Sequence, residues 1–345
     1  MSKNISILSH EPNTASIMMA TRQLSESSIP SGFPGRCDLV YGTRSSVTMN
    51  PSDFVWMNVH SSEHPRTVFV RTEHLGDFHQ KIMPCLAEPI VLLSGDSDKT
   101  VPRQLDPRFN FKCINETAWE QLHQAENEMI IHHFAENLDT AGPKVTPLPL
   151  GMNPHEYSPE HILDIVAQHK ALSPYHNHDA ETIVSHKRGM LRVVDTSRPH
   201  SDDRILVRRL CESWEFCDPK SELPRGDAYL FTLMDYSFLL CPHGGGLDPS
   251  PKAWEAIALG VIPIIKKYND DSAYRQLPVV LVDEWSEDSI TEEKLAEWKR
   301  RLHPYYSTPE GRLEVLYRLS MEYWWKHVEN KLKGNEYDEE EMFVE

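Results

Sequence analysis

The sequence predicts an α/β fold, in which a parallel sheet is covered by helices and ligands gather at the carboxyl ends of its strands. Two observations carry this. From residue 187 onward, strand-length apolar runs alternate regularly with amphipathic helical patterns. Within that half, residues 238–265 read without interruption as strand, glycine loop, helix and strand.

The elements follow in chain order. The first third is rich in proline and serine and offers short strand candidates at 5–8, 38–41, 67–70 and 90–94. Residues 115 to about 137 have a helix-like pattern, and 144–150 read as a strand ending in Pro149-Leu150-Gly151. The polar, histidine-rich stretch 153–186 holds a helix candidate at 159–170 and otherwise reads as a connector. A strand at 189–194, an amphipathic helix at 201–213 and a helix at 227–236 lead to the glycine unit. A strand at 279–282 comes next, then Ser289-Ile-Thr-Glu292, a capping box opening a helix to about 302. A helix from about 308 to 332 precedes the acidic tail 336–345, expected to be a solvated, mobile end.

The glycine unit holds the chemistry. Phe238 to Cys241 form a short apolar strand, and Gly244, Gly245 and Gly246 make a loop with no side chains to keep a ligand away. Pro251 suits a first helical turn, Ala253 to Leu259 favour helix, and Gly260 closes it before the buried strand 261–265. Backbone amides of such a loop and the helix start behind it favour an anion, and a nucleotide or nucleotide-sugar diphosphate is the natural candidate. The spacing is neither G-x-G-x-x-G nor G-x-x-x-x-G-K-[ST], so neither a dinucleotide nor a P-loop triphosphate is expected.

At 345 residues the chain is long enough for two domains, and 39% hydrophobic with 25% charged residues fits a globular protein. A net charge of −17 argues against non-specific nucleic-acid binding and against attachment to anionic membranes. The eighteen histidines show neither H-E-x-x-H nor a zinc spacing. Six scattered cysteines without C-x-x-C suit a reducing compartment and free thiols, with one bridge left open. The N-terminus lacks a signal-peptide core and no run approaches a membrane span, so a cytoplasmic protein or a trimmed one is expected.

Cys241-Pro242-His243-Gly244-Gly245-Gly246-Leu247-Asp248, Lys252, Trp254-Glu255-Ala256, Leu259-Gly260 and Ile262-Pro263-Ile264 resemble the donor-binding segment of exostosin-type glycosyltransferases and their viral and bacterial relatives. That family typically has arginine where His243 stands, and the loop from Asp248 to Lys252 looks one residue longer here, with two prolines. A neutral imidazole is a weaker anion partner than a guanidinium. The resemblance covers most of residues 66–330, strongly in the second half. In the first half it rests on Val68-Phe-Val-Arg-Thr-Glu73, the run from Ile90 to Asp96-Ser-Asp98, Phe134-Ala-Glu-Asn137 and the run from Lys144 to Gly151.

The resemblance implies the GT-B architecture, two Rossmann-like domains facing a central cleft with a C-terminal helix that crosses back. Its divisions would be an acceptor-side domain at 1–152, a connector at 153–186 and a nucleotide-sugar donor domain at 187–306. The crossing helix would be 307–335, before the tail. Eukaryotic relatives carry a membrane anchor and work in the Golgi; no anchor is seen in this sequence. The implied activity is transfer of a sugar, most simply from a UDP-sugar, to a glycan hydroxyl, with inversion and no metal or other cofactor.

Glu73, Asp96 and Asp98 follow apolar strands and are the catalytic candidates, since a carboxylate at a strand end can take a proton from an acceptor hydroxyl. Asp96 or Asp98 can equally cap the next turn. Val193-Val-Asp195-Thr-Ser197-Arg198-Pro-His200, leading into Arg204 and Arg208, is a second anion cradle, with Ser197, His200, Arg204 and Arg208 as donor contacts. His243, Gly244, Gly245, Gly246, Asp248 and Lys252 complete the donor set, with Glu255 for the ribose hydroxyls. Two rival readings stay open. Asp96-Ser-Asp98 fits the Asp-x-Asp of a metal-dependent GT-A enzyme using Mn²⁺. His243 and the altered loop suit a non-catalytic nucleotide- or glycan-binding protein.

Overall fold

Two sheets organise the described residues. The computed structural model describes residues 32–43, 54–58, 64–105, 112–140, 142–152, 159–172, 183–185, 201–218, 226–244, 246–249, 251–268, 271–335 and 341–345. Helix α1 (Gly32–Arg36) precedes a six-stranded sheet of β1 (Leu39–Thr43), β2 (Phe54–Asn58), β3 (Thr67–Arg71), β4 (Ile90–Gly95), β5 (Ile130–Ala135) and β6 (Val145–Pro147). Their spatial order is β2-β1-β3-β4-β5-β6, parallel except for β2 on the edge, which runs antiparallel to β1. Every residue of β4 is buried, as the unbroken apolar run Ile-Val-Leu-Leu requires of a strand covered on both faces. Helices α2 (Leu75–Asp77) and α3 (Glu116–His123) lie between its strands in sequence.

Helix α4 (Pro159–Leu172) leads to a five-stranded parallel sheet of β7 (Ile183–Ser185), β8 (Cys217–Asp218), β9 (Phe238–Leu240), β10 (Ile262–Lys266) and β11 (Val280–Val282). Their spatial order is β11-β10-β9-β7-β8. Helices α5 (Ser201–Ser213), α6 (Asp227–Leu233), α7 (Lys252–Leu259) and α8 (Ser272–Arg275) connect them, and α9 (Glu292–Ser307), α10 (Pro309–Arg318) and α11 (Met321–Lys333) follow. The chain builds outward in opposite directions from β7 and β9. In an open parallel sheet the crevice at the carboxyl ends beside such a reversal is where ligands bind.

The α/β class and the parallel second sheet agree with the sequence; several elements differ. The helical pattern over 115–137 stops at His123, and Ile130–Ala135 is strand β5 between β4 and β6. A short apolar run fits a buried strand as well as a helix segment, and here two neighbouring strands supply its hydrogen bonds. The helix expected at 159–170 is present as α4, which buries Ile162 and Ile165 in the main core, but β7, within the stretch read as connector, joins the centre of the second sheet. The strand candidates at 5–8 and 189–194 lie outside the described residues. Thr291, not Ser289, caps α9 by accepting from the Lys294 amide at 3.3 Å. The single helix expected from 308 to 332 is two, because the Ser320 side chain accepts from the Tyr323 amide and starts α11 afresh. Cys211 and Cys217 form a disulfide with Cα atoms 5.2 Å apart, the one bridge the sequence left open beside its expected free thiols; the other four cysteines form no disulfide.

Helix α11 reaches both sheets. It packs on β4, β5 and α1, and its Arg36–Glu322 contact, 3.2 Å from Nη1, ties it to the first helix. On the other side Trp324 meets Trp254 of α7 edge-on, with ring centroids 6.2 Å apart. One core therefore includes Phe69 and Leu93 of the first sheet, Trp324 and Val328 of α11, and Leu239 and Ile265 of the second. No described helix is long and apolar enough to cross a membrane.

The end of the tail is docked, contrary to the expectation of a solvated end. Val344 accepts from the Leu281 amide at 2.9 Å and donates to the Val279 carbonyl at 3.0 Å, which extends the sheet beyond edge strand β11. Met342 and Val344 are buried, and Glu345 pairs with Lys267 at 2.7 Å. Removing residues 341–345 would uncover a parallel edge strand, which is prone to pair with another chain. We expect this truncation to lower stability by about 2 kcal/mol, from lost apolar burial and hydrogen bonds, and to promote self-association. Denaturant titration and light scattering check this; a truncated chain as stable as the full one and with the same scattering mass per chain would show that the docked tail contributes nothing.

Candidate functional site

The glycine loop leaves β9 at the reversal of the second sheet. The Cys241 amide donates to the Ile264 carbonyl at 2.9 Å, continuing the β9–β10 ladder by one residue. Beyond it, two cations from different helices meet the loop. Arg204, in the first turn of α5, donates from Nε to the His243 carbonyl at 2.8 Å and is buried. Lys252, the first residue of α7, donates to the Pro242 carbonyl. A Cβ built on Gly244 would lie 3.8 Å from Arg204 Nη2, so the outer end of the guanidinium sits beside the bare glycine.

Burial holds the Lys252 ammonium down to about 8, and the Arg204 charge acts in the same direction against Cys241, Asp248 and Glu255. Glu255 is 2% exposed in the first turn of α7, with the Tyr229 hydroxyl 3.5 Å from its Oε2. It is thus an internal acid beside the cations. Trp254 is fully buried between Tyr274 and Trp324, which makes it a core residue. His243 is buried, its Nδ1 donates to the Leu247 carbonyl, and its ring stands edge-on to Tyr268. With that nitrogen committed to the loop, Arg204 and Lys252 are the strong cations there among the described residues.

Asp248 and Gly246 serve the contact between the sheets. Asp248 Oδ2 accepts from the Leu150 amide at 2.9 Å, and Oδ1 accepts from the Tyr274 hydroxyl. A Cβ on Gly246 would fall 2.2 Å from Asn137 Oδ1, so only glycine allows this approach. Arg208 lies one turn beyond Arg204 and pairs with Glu212 at 2.8 Å on a half-exposed face. Ser197, His200 and Gly245 lie outside the described residues.

The carboxylate candidates gather at the carboxyl ends of β3 and β4. Glu73 Oε1 accepts from the Ser97 hydroxyl at 2.8 Å and from Lys99 at 2.7 Å, while Arg71 Nε lies 3.5 Å from Oε2 and 3.3 Å from Asp96 Oδ2. Burial raises the Glu73 carboxyl, but Arg71 and Lys99 outweigh it and hold the group below its ordinary value. That suits an anchor better than a base. Asp98 shares the turn with Asp96 and Ser97.

Two residues absent from the sequence-derived site complete it. Glu136 is 2% exposed and its Oε2 accepts from the Asp96 amide at 2.8 Å. Asn137, in left-handed backbone at φ 51, donates to the Ser97 carbonyl at 2.8 Å, as Asp96 itself adopts φ 61. Their signal was the Phe134-Ala-Glu-Asn137 run, to which the sequence alone attaches no role. A cavity of about 860 Å³ lies at the opposite, amino end of β9, lined in part by Phe216, Phe238, Lys299 and His303. Among the described residues it shares no lining residue with either cluster. No family model and no curated protein matches the chain.

Proposed function

We propose that the chain is a glycosyltransferase of GT-B type, similar to the exostosin family. It moves a sugar from a nucleotide-diphosphate donor, most simply a UDP-sugar, to a glycan hydroxyl, with inversion and without a metal. The observation that supports this best is the meeting of Arg204 from α5 and Lys252 from α7 on the glycine loop, beside the β7–β9 reversal. Two cations and loop amides can hold the charge that develops on a departing diphosphate. In the displacement, the acceptor oxygen bonds to the anomeric carbon as the bond to the diphosphate oxygen breaks, and its proton passes to a carboxylate of the Asp96–Asp98 turn.

Calorimetry tests the donor site. UDP, GDP and CMP would be titrated with and without Mn²⁺ into the wild type, Lys252→Met and Glu255→Gln. We expect UDP to bind without metal and at least about 10-fold more weakly to Lys252→Met, the loss of a charge-assisted hydrogen bond. Because Lys252 titrates at about 8, binding an anion at pH 8 should draw in up to about half a proton, and Lys252→Met should abolish that uptake. Absence of nucleotide binding, or binding indifferent to Lys252, would overturn the assignment.

The Arg71 and Lys99 contacts to Glu73 and Asp96 favour a second reading, a non-catalytic nucleotide-sugar-binding protein on the same fold. Tight binding of a UDP-sugar with neither transfer nor hydrolysis would select it.

A further inference from the structure

We propose that Asn137 is a positioning residue that locks the donor loop to the carboxylate turn; this rests on the glycosyltransferase reading above. Asn137 is 4% exposed and both polar atoms of its amide are used, Nδ2 on the carboxylate turn and Oδ1 across the junction. Nδ2 donates to the Ser97 carbonyl at 2.8 Å, between Asp96 and Asp98. Oδ1 accepts from the Leu247 amide at 2.9 Å and the Asp248 amide at 3.1 Å, in the loop that follows the glycines. Only one orientation of the amide fits, because the loop presents two donors and Ser97 an acceptor.

The surroundings are shaped for this contact. Gly246 leaves room for the Asn137 carboxamide, where a Cβ would sit 2.2 Å from Oδ1. The left-handed φ of 51 is one that asparagine tolerates better than most side chains. Ser97 in turn holds Glu73 through its hydroxyl, and Asp248 holds the Leu150 amide. One side chain therefore ties the turn that carries the base to the loop that holds the leaving group. Displacement needs both in one geometry, and an error of about 1 Å can cost on the order of 100-fold in rate. Asn137 touches neither Arg204 nor Lys252 in this network, so donor affinity should survive its loss.

Asn137→Gly keeps the left-handed backbone and deletes the lock, and Asn137→Asp keeps the acceptor while placing a carboxylate against the Ser97 carbonyl. In both we expect kcat for UDP-sugar transfer to fall by about 100-fold or more, with the Kd for UDP within about 3-fold of wild type and the circular dichroism unchanged. Amide hydrogen exchange without ligand should show Leu247 and Asp248 losing protection in Asn137→Gly while β9 and β10 keep theirs. Unchanged kcat, or unchanged protection of those two amides, overturns the lock. Parallel loss of kcat, UDP affinity and fold in both variants reduces Asn137 to a structural residue and overturns it too. A wild type that neither binds nor turns over a UDP-sugar instead overturns the underlying reading, whatever the exchange shows.

Discussion

Gly95→Ala should destabilise the protein by about 4 kcal/mol and, where it still folds, abolish the proposed sugar transfer. Gly95 ends β4, and a Cβ there would fall 2.3 Å from Glu136 Cδ and 2.5 Å from both carboxylate oxygens. Glu136 is buried and receives the Asp96 amide at 2.8 Å, so moving it strands a carboxylate and an amide together. Overpacking a filled interior costs about 1–3 kcal/mol, and breaking a hydrogen bond to a buried charge about 1.5–3 kcal/mol. The loss should also release the Asp96 backbone from φ 61. Gly334→Ala is the control: its φ of 70 strains alanine but nothing lies within 4 Å of the new methyl, so about 1 kcal/mol is expected. Denaturant midpoints of the two variants decide the matter. A Gly95→Ala cost no larger than that of Gly334→Ala would mean that Glu136 swings aside freely and does not fix the turn.

What the sequence disclosed was local. The glycine unit is legible because strand, helix propensity and the Gly260 stop, which adopts φ 87, agree over one continuous segment. Apolar runs marked β3 and β4 for the same reason. The reading failed where a distant partner decides the outcome. Ile130–Ala135 is a strand because β4 and β6 flank it, and Ser320 interrupts a helical pattern through a cap that periodicity alone does not reveal. The tail reads as acidic and solvated, yet Met342 and Val344 find an open edge on β11. At the site, Lys252 was visible as a cation just after the glycines and Arg204 as one at a helix start behind a hydroxyl-rich turn. Asn137 was visible only as part of a motif, because its role lies in amides 110 and 111 positions away. Asp248, expected at the donor, turns to Leu150 and Tyr274 by the same kind of long-range contact.

Acid should weaken this fold well before its carboxylates protonate. A buried relay runs from the Trp119 carbonyl to His123 Nδ1 at 2.8 Å, from His123 Nε2 to His133 Nδ1 at 3.0 Å, and from His133 Nε2 to the Ser94 hydroxyl at 2.8 Å. With both imidazoles neutral every contact has one donor and one acceptor: His123 donates to the carbonyl, His133 donates to His123, and Ser94 donates to His133. Burial lowers His123 to about 4 and His132, beside Thr146, to about 3; it takes His133 well below its ordinary value and His327, packed on Tyr323 and Trp324, to about 4. All four depressed groups bind protons more readily once unfolded. The stability they confer is therefore fully present above their ordinary value of 6.5 and is lost as pH falls from there toward the folded values. For His123 alone the interval corresponds to about 3 kcal/mol. Glu73, held down by Arg71 and Lys99 once burial is overcome, acts lower, below its ordinary 4.5. Near pH 5.5, unfolding should take up about 3.5 protons, a slope of about 5 kcal/mol per pH unit. Urea titrations between pH 7.5 and 5 measure that slope directly. A flat profile across this range would show that the relay accepts protons in place, through water or an opened Ser94 contact, and that β4 is not held by neutral histidines.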